Sequence, residues 1–166
     1  MATATSAVVG YLGRAQEAVS YVRSKMTVGA SNKIPDVLGS FGMSLLCVPA
    51  ERSVTAESQS DKMLPYMRVI ATAAEGTGCG NCGEQSATAF IYLFDHGIRP
   101  LDWMALQDPG DHAFVVIGRI AGSNETDPNT WGASAVVCDP WRGQVYRPDL
   151  ILRMWRYKPY SIFRVD

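Results

Sequence analysis

A glycine-rich turn at residues 78–85 (Gly-Cys-Gly-Asn-Cys-Gly-Glu-Gln) runs directly into a strongly apolar stretch at residues 86–94. This pattern predicts that Cys82 lies at or near the N-terminus of a helix. The free backbone N–H groups and the helix dipole favour a thiolate over a thiol at such a position. Cys82 is therefore the candidate nucleophile of the chain.

Two later segments offer partners for this thiol. His112 precedes an apolar, β-branched run at 113–120, and Asp139 follows a second such run at 133–138. Both runs predict buried strands. If they form a hairpin in which residue 118 pairs with 133, then His112 lies opposite Asp139, about 5 Å away. A one-residue slip would reverse this facing. We interpret Cys82, His112 and Asp139 as nucleophile, base and orienting acid.

Each of these residues also has a purely structural interpretation. Cys82 fits a buried thiol, His112 fits an ordinary histidine at a strand edge, and Asp139 before Pro140 fits a turn. The second histidine, His96, follows the helix and is expected to contact its C-terminal carbonyl groups.

The remaining pattern predicts helices in the N-terminal half and an antiparallel sheet in the C-terminal half. Helices are expected at 7–26, from Asp36 through residue 46, at 63–74 and at 148–155, with a polar loop at 49–62. Further strands are expected at 101–107, 144–147 and 161–165. The expected fold class is α+β, in a single catalytic domain spanning residues 1–166.

Composition excludes several classes of function. Fifteen basic and sixteen acidic residues give a net charge of −1, and no run of Lys or Arg is present, so we expect no nucleic-acid partner. No apolar stretch reaches the length of a membrane span, and the first residues do not resemble a secretory signal.

Cys47 and Cys138 lie in apolar runs and are expected to be buried thiols. Cysteine usage thus favours a reducing compartment, and we expect the chain to be cytoplasmic as made.

Two rival classes of function stay open. Cys79 and Cys82 form a CxxC motif, which is typical of redox-active pairs and of half a zinc site. A zinc site needs a second pair of ligands, and the remaining cysteines and histidines are scattered. We therefore expect no metal and no cofactor. A noncatalytic binding module is the other rival, but it leaves the order of Cys82, His112 and Asp139 unexplained.

Three short motifs in order resemble a known enzyme family. The motifs are Gly-Asn-Cys-Gly-Glu at 80–84, Asp-His at 111–112 and Cys-Asp-Pro at 138–140. Together they resemble the transglutaminase-like core, and the peptide N-glycanase branch has the most similar motifs. The larger papain-like superfamily of cysteine hydrolases shares the Cys-His-Asp order. This resemblance covers residues 80–141. It implies a papain/transglutaminase-like fold and a thiol-dependent amidohydrolase that acts on protein side-chain amides, most simply a glutamine deamidase. A cysteine protease is the alternative, and cross-linking would use the same site.

The chain also departs from this family. The interval from His112 to Asp139 is long, and no tryptophan or glutamine before Cys82 matches the family's usual oxyanion donor. The Cys82 N–H can serve instead, with a second donor from Asn81 or Gln85. The small size and alanine-rich start resemble bacterial effector or toxin domains. That likeness implies a protein substrate in a host or competitor cell, a cognate inhibitor or immunity protein, and delivery by a specialised secretion system.

Overall fold

The computed structural model describes residues 2–56 and 62–166, and six α-helices are found in these two ranges. They are α1 (Ala2–Lys25), α2 (Ile34–Gly39), α3 (Met43–Ala56), α4 (Met63–Thr77), α5 (Cys82–Asp95) and α6 (Ile151–Met154). The helices predicted at 7–26 and 63–74 are confirmed as α1 and α4, because their apolar residues recur at helical spacing and face the core. Pro65 lies in the first turn of α4, where a missing N–H costs nothing.

The region between α1 and α4 differs from the prediction. The helix expected from Asp36 through residue 46 is two helices, because the chain turns at residues 40–42, where Gly42 has a φ of 81°. The polar loop expected at 49–62 is wrong for its first part, since α3 continues through Ala56 with Pro49 inside it. Residues 57–61 of that predicted loop lie outside the described residues.

Five antiparallel strands form one sheet in the order β4-β3-β2-β1-β5. They are β1 (Leu101–Leu106), β2 (Ala113–Ile117), β3 (Val136–Asp139), β4 (Gln144–Tyr146) and β5 (Pro159–Val165). The helix predicted at 148–155 is a 3₁₀ turn, Pro148–Leu150, followed by the single turn of α6. The α+β class, with helices in the N-terminal half and an antiparallel sheet in the C-terminal half, is confirmed.

Both faces of the sheet are covered by apolar side chains. One face packs against α1 and α5 through a buried cluster that includes Val22, Phe90 and Val115, and α4 packs against α5 in the same cluster. The other face is covered by a second cluster that includes Trp131 and Ile151. The N-terminus of α5 and the ends of β2 and β3 are thereby held in fixed relation, and these are the elements that carry the three candidate residues.

The four cysteines are arranged differently from the prediction. Cys47 of α3 forms a disulfide with Cys79, so the expectation that Cys47 is a free buried thiol is wrong. Cys138 and Cys82 are free and buried. Because disulfides persist in oxidising surroundings, cysteine usage no longer favours a reducing compartment. The disulfide ties α3 to the turn that leads into Cys82.

Candidate active site

Cys82 is the first residue of α5, as the glycine-rich turn predicts, and only 7% of the residue is exposed. The helix start is held by Glu84, a buried residue whose Oε2 accepts a hydrogen bond from the Asn81 N–H at 2.8 Å. Glu84 also forms an ion pair with Arg52 of α3, with Nε and Oε1 2.6 Å apart. Cys82 thus lies at the end of the helix where backbone N–H groups lack helical partners and the helix dipole is positive.

His112 and Asp139 lie side by side at the end of the sheet, with His112 Nε2 and Asp139 Oδ2 2.8 Å apart. The predicted hairpin exists, but its ladder is shifted by two residues, since Val115 pairs with Cys138 and not with residue 136. A two-residue shift equals the side-chain period of a strand, so it keeps the same side chains on the same face. His112 therefore reaches Asp139 diagonally across the ladder.

The Cys82 side chain lies close enough to the His112 imidazole to raise the pKa of the ring. Because Nε2 is engaged by Asp139, Nδ1 is the ring nitrogen left for the sulfur. The structure thus brings all three sequence-predicted residues together, with His112 hydrogen-bonded to Asp139 and influenced by Cys82.

Asp139 and Cys82 together raise the pKa of the His112 imidazole from 6.5 to about 9. Burial alone would lower the pKa of the imidazole, since a buried charge is costly. The hydrogen bonds to Asp139 and to Cys82 outweigh burial, and the negative charges of the same two partners add to the rise. An imidazolium at neutral pH is the form that stabilises a neighbouring thiolate.

Two further groups hold the Asp139 carboxylate, which is completely buried. The Tyr146 hydroxyl donates to Oδ2 at 3.1 Å, and the backbone N–H of Arg142 donates to Oδ1 at 3.1 Å. Burial and the charge of Asp139 raise the pKa of the Tyr146 hydroxyl, so it stays a neutral donor. A buried carboxylate needs such partners to remain ionised.

Aromatic rings enclose the His112 imidazole. Trp155 stacks on it with ring centroids 4.4 Å apart, Trp141 meets it edge-on at 5.5 Å, and Phe114 lies at 5.9 Å. The sequence analysis singled out neither Trp155 nor Tyr146. A stacked ring and an edge-on ring leave the imidazole little freedom to rotate away from Cys82 and Asp139.

A short segment, residues 31–33, crosses between the two walls of the site, and we call it the strap. The Ser31 N–H donates to the Asn81 side-chain oxygen at 2.9 Å, next to Cys82. On the other wall, Lys33 Nζ donates to the Trp141 carbonyl at 2.9 Å, and Trp141 Nε1 donates to Asn32 Oδ1 at 3.0 Å. The strap therefore links the turn that leads into Cys82 to the turn that follows Asp139.

A cleft of about 310 Å³ lies beside this arrangement. Gln85, one turn after Cys82 on α5, lines one side of it, and Pro140, directly after Asp139, lines the other. Lys33 of the strap and Met26 complete the wall near the N-terminal helices.

No protein-family model matches the chain, and a search of curated proteins finds no relative.

The two predicted oxyanion donors are both engaged in holding the turn before α5. The Asn81 side-chain oxygen accepts from Ser31 as described, and Gln85 Nε2 donates to the Gly80 carbonyl at 2.8 Å. An amide nitrogen carries two hydrogens, so each side chain keeps donor capacity beyond these bonds. Their role as oxyanion donors stays a prediction.

The contact predicted for the second histidine is confirmed. His96 Nδ1 lies 2.7 Å from the Tyr92 carbonyl at the end of α5, as expected for a histidine after a helix. Trp131 is completely buried, and Trp103 Nε1 donates to Ser86 Oγ at 2.8 Å. Neither of these two contacts involves Cys82, His112 or Asp139, and Trp131 is part of the second core cluster.

The arrangement of cysteines bears on the rival interpretations. Cys79 of the CxxC motif is bonded to Cys47 and not to Cys82. Within residues 2–56 and 62–166, no group of three or more His, Cys, Asp or Glu side chains is placed to hold a metal ion. In the same ranges, no helix is both long and apolar enough to cross a membrane.

Proposed function

We propose that the chain is a thiol-dependent amidohydrolase with a papain/transglutaminase-like fold, acting on side-chain amides of proteins, with glutamine deamidation as its reaction. The observation that carries the proposal is the position of His112, which hydrogen-bonds to Asp139 and has Cys82 as a second partner close enough to raise its pKa. Nucleophile, base and orienting acid in this order are what nucleophilic acyl transfer requires.

In the proposed reaction, the Cys82 thiolate attacks the amide carbonyl and forms a C–S bond. Protonated His112 then gives its proton to the leaving nitrogen, the C–N bond breaks, and ammonia leaves a thioester behind. Neutral His112 next takes a proton from water, which attacks the thioester and releases the carboxylate and Cys82. Asp139 holds the imidazole orientation and balances its charge in both steps.

The enclosure of the site favours a side-chain amide over a backbone amide. Cys82 is 7% exposed and His112 is 4% exposed, while the strap joins the two walls beside them. A protease must hold an extended main chain along its nucleophile, whereas a glutamine side chain can enter from one end. Proteolysis is therefore the second candidate, and a lysine amine in place of water would give cross-linking.

An exposed apolar surface next to the strap favours a protein substrate over a small molecule. Directly after Lys33, helices α2 and α3 present large apolar side chains to solvent, with exposed fractions between 51% and 97%: Ile34, Leu38, Phe41, Met43, Leu45 and Leu46. Contiguous exposed apolar patches on soluble domains mark contacts with other proteins. Since Lys33 and Asp36 also line the cleft, the same protein can occupy both surfaces.

Mass spectrometry of a proteome treated with the enzyme tests this function. Deamidation replaces an amide by a carboxylate and raises the mass of a glutamine-containing peptide by about one dalton, whereas proteolysis creates new termini and cross-linking joins peptides. The matched control is the same treatment with Cys82→Ala. Glutamine-to-glutamate conversion that depends on Cys82 supports the proposal. Conversion that persists with Cys82→Ala contradicts it.

A further inference from the structure

We propose that the cleft beside Cys82 recognises an acidic side chain of the substrate protein, one or two residues from the glutamine that is attacked. This inference rests on the proposed function and names a specificity determinant for it. The residues that would bind the acidic side chain are Arg23, Arg142 and Lys33, which line the cleft together.

The cleft carries an excess of positive charge. Three basic side chains face it, against one carboxylate, Asp36. Asp36 is already engaged, because its Oδ2 accepts a hydrogen bond from the Ala30 N–H at 2.9 Å and the residue packs against Gly29. Its charge therefore offsets only part of the field of the three cations.

Arg23 is the cation best placed to bind a new anion. It is exposed near the end of α1 and has no hydrogen-bond or ion-pair partner among the described residues. Its guanidinium lies beside Gly143, across the cleft from the strap. A guanidinium binds a carboxylate through two parallel hydrogen bonds, so Arg23 can take an aspartate or glutamate without giving up a contact.

Arg142 and Lys33, which also line the cleft, are each held in place by contacts of their own. Arg142 lies over the Trp155 ring, 5.4 Å from its centroid, and its Nε donates to Gln144. Lys33 Nζ is fixed on the Trp141 carbonyl. Arg142 and Lys33 are therefore fixed, while Arg23 has no partner among the described residues. A carboxylate in the cleft would supply the anion that these three cations lack.

The cleft lies within reach of a residue next to the attacked glutamine. Gln85 on its wall is one helical turn from Cys82, and Pro140 is adjacent to Asp139. An extended chain advances about 3.3 Å per residue, so a side chain one or two positions from the glutamine arrives at the cleft. Because the net charge of the whole chain is −1, the positive charge is local, as suits a short acidic segment and not a nucleic-acid backbone.

Peptide binding to the Cys82→Ala variant tests the inference without requiring turnover. We would use fluorescence anisotropy with three labelled peptides of one length, each with a central glutamine flanked by glutamate, serine or lysine. The acidic peptide should bind at least about 10-fold more tightly than the serine peptide, and added salt should reduce the difference. Adding Arg23→Glu should remove this preference. Arg14→Glu, the same charge change two to three turns earlier on α1, should retain it.

Equal binding of the acidic and serine peptides would overturn the inference. So would an equal loss of the preference for the acidic peptide in Arg14→Glu and in Arg23→Glu. Competition with inorganic phosphate at matched ionic strength distinguishes a carboxylate site from a general anion site. If phosphate fully displaced the acidic peptide at a concentration where sodium chloride has no effect, that result would also contradict the inference. The proposed function is tested separately by treating the same peptides with the unsubstituted enzyme. Selective binding without a Cys82-dependent gain of about one dalton would contradict the function and not the recognition.

Discussion

The hydroxyl of Tyr146 donates a hydrogen bond to the same Asp139 oxygen that binds the His112 imidazole, at 3.1 Å and 2.8 Å respectively. Two donors thus converge on Oδ2 in a buried environment. The tyrosine fixes the carboxylate for His112, but it also draws part of the negative charge away from the imidazole. Tyr146 is a positioning residue that acts through Asp139.

Removing this hydroxyl should lower activity and shift the pH profile. In Tyr146→Phe, we expect kcat/KM to fall about 10-fold, because one hydrogen bond to a charged group contributes about 1.5 kcal/mol. The pKa of His112 should rise, since Asp139 then directs more of its charge to the imidazole. Activity measured against pH reads out both effects. Tyr160→Phe, on the exposed side of β5, is the control, and an unchanged alkaline limb in Tyr146→Phe would refute this role.

The raised pKa of His112 predicts how activity depends on pH. Since that pKa is about 9, the imidazolium that supports the thiolate and protonates the leaving group persists through neutral pH, and kcat/KM should fall as pH rises through about 9. Asp139→Asn removes the partner whose hydrogen bond does most to raise this pKa, so the alkaline limb should move to lower pH. The measurement is kcat/KM between pH 5 and 10. An alkaline limb at the same pH in both proteins would show that Asp139 does not control the base.

A second buried carboxylate serves the fold and not the proposed site. Asp102 of β1 is completely buried and pairs with Arg119 at 2.6 Å and with Arg164 of β5 at 2.7 Å. Asp102→Ala leaves two arginines without their carboxylate, so it should reduce the free energy of unfolding by about 3–5 kcal/mol. Asp95→Ala breaks an exposed pair and should cost less than about 1 kcal/mol. Urea unfolding measures both, and equal losses would contradict this account of the network.

Phe41 offers a test of the exposed apolar surface that leaves the fold intact. It is 97% exposed and has a φ of 51°, a conformation that glycine adopts without strain. Phe41→Gly should therefore leave stability unchanged or slightly higher, while raising KM for a protein substrate several-fold. KM for a short glutamine peptide should not change. Val9→Ala, at an exposed apolar position on α1, is the control, and an unchanged KM for the protein would exclude Phe41 from the contact surface.

Much of the fold and the three candidate residues could be predicted because they depend on local patterns. Helical spacing located α1 and α4, and the glycine-rich turn placed Cys82 at the start of α5. The hairpin was predicted with its ladder two residues out, yet His112 and Asp139 still met because strand faces repeat every two residues. The sequence predicts one helix where the chain turns at Gly42 and forms two, because a single glycine does not by itself distinguish a weak helix position from a turn.

The rest of the site depends on contacts between distant parts of the chain. The disulfide joins Cys47 to Cys79, the strap joins residue 33 to Trp141, and Trp155 reaches His112 from beyond β4. No spacing rule within one segment encodes such pairings. Likewise, nothing in the sequence around Tyr146 predicts that its hydroxyl hydrogen-bonds to Asp139.

Site-specific alkylation tests most directly the central claim of the proposal, that Cys82 is the nucleophile and that His112 activates it. Iodoacetamide at neutral pH followed by peptide mapping compares Cys82 with Cys138, whose thiol is buried and has its pKa raised by burial and by Asp139. Cys47 and Cys79 do not compete, because they are disulfide-bonded.

We expect Cys82 to be labelled at least about 100-fold faster than Cys138. His112→Ala should remove most of this difference, and His96→Ala should leave it unchanged. Equal labelling of Cys82 and Cys138 in the native protein, or a rate at Cys82 that is the same with and without His112, would contradict the account.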